Sequence, residues 1–272
     1  MVGAEEPRNF THVGPGTPAI AWRRHPAWEA GDPIRLEGLS RLVVLAAHPD
    51  DESLGAGGLL ASAARSGLGV ELVSATDGEG SHPDSPTRTP EELAVIRAEE
   101  GRRAAAALGI DEEQVHRCRL PDGGVSAHVE SLADRVVEVV GDGPGAVIVA
   151  PWRRDGHPDH EAAGRAAAAA ARRTGAELWE YPVWFWHWAR PEEAPWELLH
   201  PFVLDEHSVT AKRHAIRAHA SQVAPLSDLA GDETLLPAEM LAHFEGAREH
   251  YLQTASADCP DDPRGHHDRP DT

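Results

Sequence analysis

Lysine is almost absent from this 272-residue chain: Lys212 stands alone, and the other basic residues are arginine. Against 25 basic residues there are 45 acidic ones, a net charge of −20. A surface so poor in positive charge repels nucleic acid and anionic lipid, so neither is expected as a partner. Cysteine is scarce as well. Cys118 and Cys259 lie far apart and form no CxxC pair, which excludes a disulfide framework and a cysteine zinc site and fits a reducing cytoplasm. Long apolar runs are missing too. The longest, Leu42 to Ala47, is far too short to span a membrane. Met1 to Glu29 lacks the apolar centre of a signal peptide. The chain reads as a soluble cytoplasmic protein.

What is present is an alternation of two periodicities. Arg41 to Ala47 is an apolar, β-branched run of strand length, as in strands buried on both faces. Helical spacing follows over Glu52 to Arg65, a second strand over Val70 to Ala75, and a Gly- and Pro-rich loop over Thr76 to Pro90. Pro90, with Glu91 and Glu92 behind it, opens a long helix that stops at Gly109. Strands are expected near Val115 to Leu120, Gly145 to Ala150 and Glu177 to Tyr181, with helices over Val125 to Val140 and His160 to Arg173. This predicts an α/β fold, a Rossmann-like parallel sheet with helices on both faces. The aromatic stretch Val183 to Trp188 then alternates at strand period, and helices are expected at His207 to Ser221 and Pro237 to Leu252. Residues 1–39 read as an N-terminal extension, and residues 255–272, rich in Asp and Pro, as a disordered tail.

Open parallel sheets bind ligands beyond the carboxyl ends of their strands. Two segments fall there, His48-Pro49-Asp50-Asp51-Glu52 and His157-Pro158-Asp159-His160. Either alone is a commonplace Pro-containing turn; two on one sheet edge make a pocket. A catalytic zinc site needs about three protein ligands and an open position. His48, Asp51 and His160 supply two imidazoles and a carboxylate, suited to Zn²⁺ or another divalent metal such as Fe²⁺. Asp50, beside the metal but not bound to it, is placed to take a proton from metal-activated water. His157 would polarise a carbonyl oxygen or stabilise an oxyanion, and Asp159 would fix the tautomer of an imidazole.

The run Ala46-Ala-His48-Pro-Asp-Asp-Glu-Ser-Leu-Gly-Ala-Gly-Gly58 resembles the signature of the PIG-L (LmbE-like) deacetylases, and Gly156-His-Pro-Asp-His160 resembles that family's second motif. Weaker matches lie in family order at Ala75 to Glu79, Arg97 with Glu100, Leu120 to Gly123, and Lys212 to Gln222. The resemblance implies a zinc-dependent hydrolase of N-acetyl groups on N-acetylglucosamine-type sugars or glycoconjugates, with the catalytic domain over residues 40–254. It implies His48, Asp51 and His160 as ligands, Asp50 as base, and His157 as the electrophilic group, oriented by Asp159. Members acting on mycothiol precursors carry a Tyr two residues before the second motif's first His, where this chain has Asp155.

Asp77, Arg97 and Trp186 are the further candidates for substrate contact. Each has a plainer reading: Asp77 as a turn residue with Gly78, Arg97 as a helix-surface partner of Glu100, and the aromatic stripe as core or the interface of a homo-oligomer. His82 is expected in solvent, and His219 at a helix end, serving the dipole. Three rivals remain: a phosphoesterase or esterase with the same ligands, a non-catalytic sugar-binding protein, and a dinucleotide enzyme. Gly55-Ala-Gly57-Gly58 lacks the GxGxxG spacing that the last would need.

Overall fold

A strand covered on both faces must divide its side chains between two cores, and Arg41–Ala46 (β1) does so. In the computed structural model, which describes residues 14–254, Leu42 and Val44 enter one apolar cluster and Val43 and Leu45 another. Ahead of β1 lies a short helix, Ala19–Arg24 (α1), whose Trp22 is fully buried in the first cluster. After it come Asp51–Ser66 (α2), Gly69–Thr76 (β2), Pro90–Ala107 (α3), Val115–Leu120 (β3), Val129–Val140 (α4), Ala146–Pro151 (β4), Pro158–Thr174 (α5) and Glu177–Tyr181 (β5). These are the elements that periodicity predicts. Their ends follow local chemistry: a Thr89–Glu92 capping box starts α3, and left-handed Gly67 and Gly175 close α2 and α5.

The five strands run parallel in the order β3-β2-β1-β4-β5. The chain winds outward from β1 in one direction and from β4 in the other. Their carboxyl ends therefore flank the crevice where a doubly wound sheet binds its ligand. Helices α2 and α3 cover one face, and α4 and α5 the other.

Beyond β5 the structure departs from expectation. The aromatic stretch is not a strand: Phe185–Trp188 is a short helix (α6). The buried carboxylate of Asp155 decides this by accepting the N–H groups of Val183 (2.7 Å), Trp184 (3.1 Å) and Phe185 (3.1 Å), which gathers the backbone into a turn. Next come Leu199–Val203 (β6), Glu206–Ala218 (α7), Ala220–Val223 (α8), Ala238–Leu241 (α9) and Arg248–Thr254 (β7). The helix expected over 237–252 thus survives only as α9. Gly246, at φ 137°, ends any helical continuation, and β7 pairs antiparallel with both β5 and β6. The C-terminal part completes a seven-stranded mixed sheet rather than forming a helical extension. Pro201 hides β6 in the sequence, because a strand tolerates Pro only at a sheet edge, where β6 lies. The tail expected after Ala255 lies outside the described residues. No helix among the described residues is long and apolar enough to cross a membrane.

The glycines of α2 serve packing. A Cβ on Gly55 would lie 2.0 Å from the Tyr181 ring, and one on Gly58 would lie 2.4 Å from Leu204. The Tyr181 ring cannot swing away freely, because its hydroxyl donates to Leu45 O at 2.8 Å. Gly55→Ala should therefore destabilise by about 1–3 kcal/mol through overpacking, a melting temperature lower by about 2–12 °C. Circular dichroism against temperature measures it, and an unchanged midpoint would refute the packing argument.

Candidate active site

The chain leaves β1 at the crevice and turns into α2 within four residues. Asp50 carries the turn at φ 137° and ψ −30°, a left-handed conformation that residues with side chains rarely adopt. Its N–H donates to Glu52 Oε2 (3.1 Å), and its carbonyl accepts the N–H of Leu54 (2.9 Å). Buried Arg97, reaching across from α3, donates to Pro49 O (2.7 Å), Asp50 Oδ2 (3.0 Å) and Gly78 O (2.8 Å). Asp51, next in line, folds back so that Oδ2 accepts the His48 N–H at 2.8 Å.

The loop after β4 supplies the opposite wall. His157 caps α5, its Nδ1 accepting the N–H of Asp159 (3.3 Å). One turn on, His160 sets Nε2 3.1 Å from Asp51 Oδ1 and Nδ1 2.8 Å from Asp155 Oδ2. His48 repeats the arrangement in mirror sense. Its Nδ1 lies 3.6 Å from Asp51 Oδ2, and its Nε2 lies 3.1 Å from Asp122 Oδ1 and 3.3 Å from Asp159 Oδ2. Each imidazole thus has one nitrogen anchored on a carboxylate behind it and the other turned towards Asp51. Metal-binding histidines are held in this way. The ring of His157 stands 5.0 Å from that of His48 and 4.6 Å from that of His160, within metal-ligand reach of both.

Electrostatics points the same way. Burial alone would lower the pKa of His160, but Asp51 and Asp155 outweigh it and raise it to about 9. Burial likewise opposes His48, yet Asp122, Asp159 and Asp51 lift it well above the usual imidazole value. Burial would raise Asp51, but His160 and His48 hold its carboxyl well below the usual range. The cluster is built around positive charge, and a divalent cation among His48 Nδ1, Asp51 and His160 Nε2 would provide it in place of two ring protons. The residues fit a metal. Asp50 differs: burial, with Asp51 adding to it, pushes its carboxyl up to about 6 against the pull of Arg97. His157 falls to about 3 through burial and the positive charge of its two neighbours, so it stands neutral.

The structure gathers His48, Asp50, Asp51, His157, Asp159 and His160 at one place. The Asp159 carboxylate accepts the N–H groups of Gly123 (2.7 Å) and Val125 (3.1 Å) and faces the imidazole of His48, while its backbone N–H meets His157 Nδ1. Asp77 sits at the expected sheet edge but forms an ion pair with Arg117 (2.8 Å), on the wall of a cavity of about 610 Å³ also lined by Pro49 and Arg97. Arg97 and Glu100 are not surface partners: Arg97 holds Asp50, and Glu100 binds Ser221. Trp186, 5% exposed, packs edge-on against Trp22 at 4.8 Å and offers no face to a sugar. His82 is buried, with Nε2 3.0 Å from Glu233 O, because the 225–236 loop covers it. Sequence reasoning gave no role to Asp122, Asp155 or Glu52, although Glu52 closes the first motif and Asp122 falls within a weaker one. Asp122 follows a parallel strand on the same edge, a signal that could have found it; Asp155 stands two residues before His157, but nothing along the chain pairs it with His160.

Residues 43–171 match the family model described as PIG-L: GlcNAc-PI de-N-acetylase. A 1D-myo-inositol 2-acetamido-2-deoxy-alpha-D-glucopyranoside deacetylase of Mycobacterium sp. (strain KMS) is 27% identical over 285 residues, covering 86% of this chain and 89% of its own. Diacetylchitobiose deacetylase of Thermococcus kodakarensis is 31% identical over 128 residues, 46% of this chain and 47% of its own. Among solved structures, N,N'-diacetylchitobiose deacetylase from Pyrococcus horikoshii superposes with a TM-score of 0.60 at 19% identity, over 85% of this chain and 91% of its own. At that identity the likeness is one of fold.

Asp155 is fully buried, and its Oδ2 fixes the ring of His160. Asp155→Asn should weaken metal affinity by about 10–100-fold, the usual cost of losing such a partner. Metal titration of the apoprotein tests this; wild-type affinity would show that Asp155 does not support a ligand.

Proposed function

Because residues 43–171 match the PIG-L family model, we propose that this pocket hydrolyses the N-acetyl amide of an amino sugar within a small molecule. The reading rests on one observation. Asp51 faces both imidazoles, while its neighbour Asp50 is drawn aside by Arg97, so adjacent carboxylates are given different tasks. The names of the relatives, which act on acetylated amino sugars, support the substrate class.

Bound by His48, Asp51 and His160, a divalent ion, zinc or alternatively iron(II), would supply Lewis-acid polarisation to the amide carbonyl and to the attacking water. The chain's own groups move the protons. Asp50 Oδ2 is engaged by Arg97, which leaves Oδ1 to take a proton from water and deliver it to the departing amine nitrogen. His157 Nδ1 accepts the Asp159 N–H, so Nε2 carries the ring proton and donates a hydrogen bond to the carbonyl oxygen as charge builds there, without giving the proton up. The carbon–nitrogen bond breaks, and acetate and a free amine leave. Asp77, at the sheet edge, remains the candidate for binding sugar hydroxyls. Asp155 cannot replace a substrate-facing Tyr, because it is fully buried behind His160.

A two-metal phosphoesterase finds less support. Two groups among the described residues could hold an ion, His48 with His157 and His160, and His48 with Asp122 and Asp159. Asp122 and Asp159 meet His48 through Nε2, whereas Asp51 lies on Nδ1, so two ions would stand farther apart than the roughly 3.5–4 Å such enzymes use. The pairing of low cysteine content with a pocket for a small soluble substrate fits a cytoplasmic enzyme.

Acetate release from a panel of N-acetylated sugars, with and without chelator, tests the reaction. Activity is expected on at least one and should vanish on complete metal removal; activity that survives would sink the mechanism. Asp50→Asn should keep its metal and lose about 10²–10⁴-fold in kcat, the range for general-base removal. A variant as fast as wild type would mean that the base lies elsewhere.

A further inference from the structure

We propose that His219 is a positioning residue for Asp50, acting through the carboxylate of Glu52. The inference rests on the reading of Asp50 as the base. Helix α7 does not run on into α8; it breaks at His219, which has φ −80° and ψ 57°. Buried Glu100 of α3 holds the break open, accepting the Ser221 N–H at 2.8 Å and the Ser221 hydroxyl at 2.7 Å. The imidazole of His219, 1% exposed, is thereby aimed at the first turn of α2. Its Nε2 lies 3.0 Å from Ser53 Oγ and 3.4 Å from Glu52 Oε1. The other oxygen of Glu52 accepts the N–H of Asp50 at 3.1 Å. A path therefore runs from Glu100 to Ser221, along two residues of backbone to His219, and through Glu52 to the one left-handed residue of the turn.

The competing account makes His219 an ordinary helix-end histidine. Such a ring would face the last carbonyls of its own helix, whereas this one faces a carboxylate on another. Stability alone is a poor reason for the pair, since an apolar replacement for a buried ion pair is often no less stable. The pair also leaves His219 Nδ1 buried without a hydrogen-bond partner, a cost that packing does not require. Its position beneath Asp50 supplies the reason. Without the imidazole, the buried Glu52 carboxylate loses its counter-charge, and its grip on the Asp50 N–H changes. Asp50 then relaxes from φ 137° and its carboxyl shifts from the water it must deprotonate.

His219→Phe, His219→Gln and Glu52→Gln, each in the full chain loaded with zinc, test the proposal beside Asp50→Asn. In His219→Phe, kcat for acetate release should fall about tenfold to a hundredfold, as expected for a small misplacement of a catalytic group, while KM and bound zinc per chain stay as in wild type. His219→Gln, which keeps an N–H donor for Glu52, should recover much of the loss, and Glu52→Gln should show the same split between kcat and KM. Adding His219→Phe to Asp50→Asn should cost nothing more. Unchanged kcat in His219→Phe, zinc lost in step with activity, or a loss that adds in full to that of Asp50→Asn would each overturn the proposal. If His219→Phe does not fold, His219→Gln and Glu52→Gln decide the matter by the same readouts. An active Asp50→Asn would instead remove the base assignment, and this inference with it, whatever the His219 variants show.

Discussion

Charge neutralisation at the switch point of the sheet is the constraint that organises this molecule. Asp50, Asp51, Glu52, Asp122, Asp155 and Asp159 are brought into one crevice, most of them almost wholly withdrawn from water. Buried carboxylates are tolerated only with partners. The partners are His48 and His160 from the two motif loops, Arg97 from α3, His219 from the end of α7, and backbone N–H groups of the loop after β3. This is why Arg97 and Glu100 are buried rather than paired along a helix surface. The same surplus of negative charge makes the centre of the cluster a place for a cation.

Asp155 shows how far one such group can reach. Its two oxygens take three backbone N–H groups of the segment after β5 and one nitrogen of His160. The carboxylate that turns the aromatic stretch into a helix is thus the one that steadies a metal-ligand candidate. The helix carries Trp186 into the aromatic cluster around Trp22, so the N-terminal segment is packed against structure that depends on the active-site loop.

Asp50 and Asp51 illustrate the division of labour that follows. They are neighbours in sequence with different surroundings: two imidazoles pull the Asp51 carboxyl down against burial, while burial lifts that of Asp50 against Arg97 and the weaker pull of His219 and His48. A tight turn at φ 137° separates their side chains. Adjacent residues of one chemical type acquire different roles through backbone geometry.

The order of strands and helices up to β5, and the placing of His48 and His157 beyond the ends of β1 and β4, could be read from the chain alone. Apolar periodicity and capping residues act over a few positions, and the rule that parallel strands present ligands at their carboxyl ends needs only their order. The histidine and aspartate residues gathered at those ends were legible for the same reason. What tertiary structure alone decided is of longer range. Arg248–Thr254 became a strand because β5 and β6 offered hydrogen-bonding edges, although its residues suit a helix equally well. Asp155, Glu52 and His219 became site residues because loops distant in sequence brought opposite charges together where water is excluded. Electrostatic partnership in a buried crevice depends on distance in space, and no spacing along the chain encodes it.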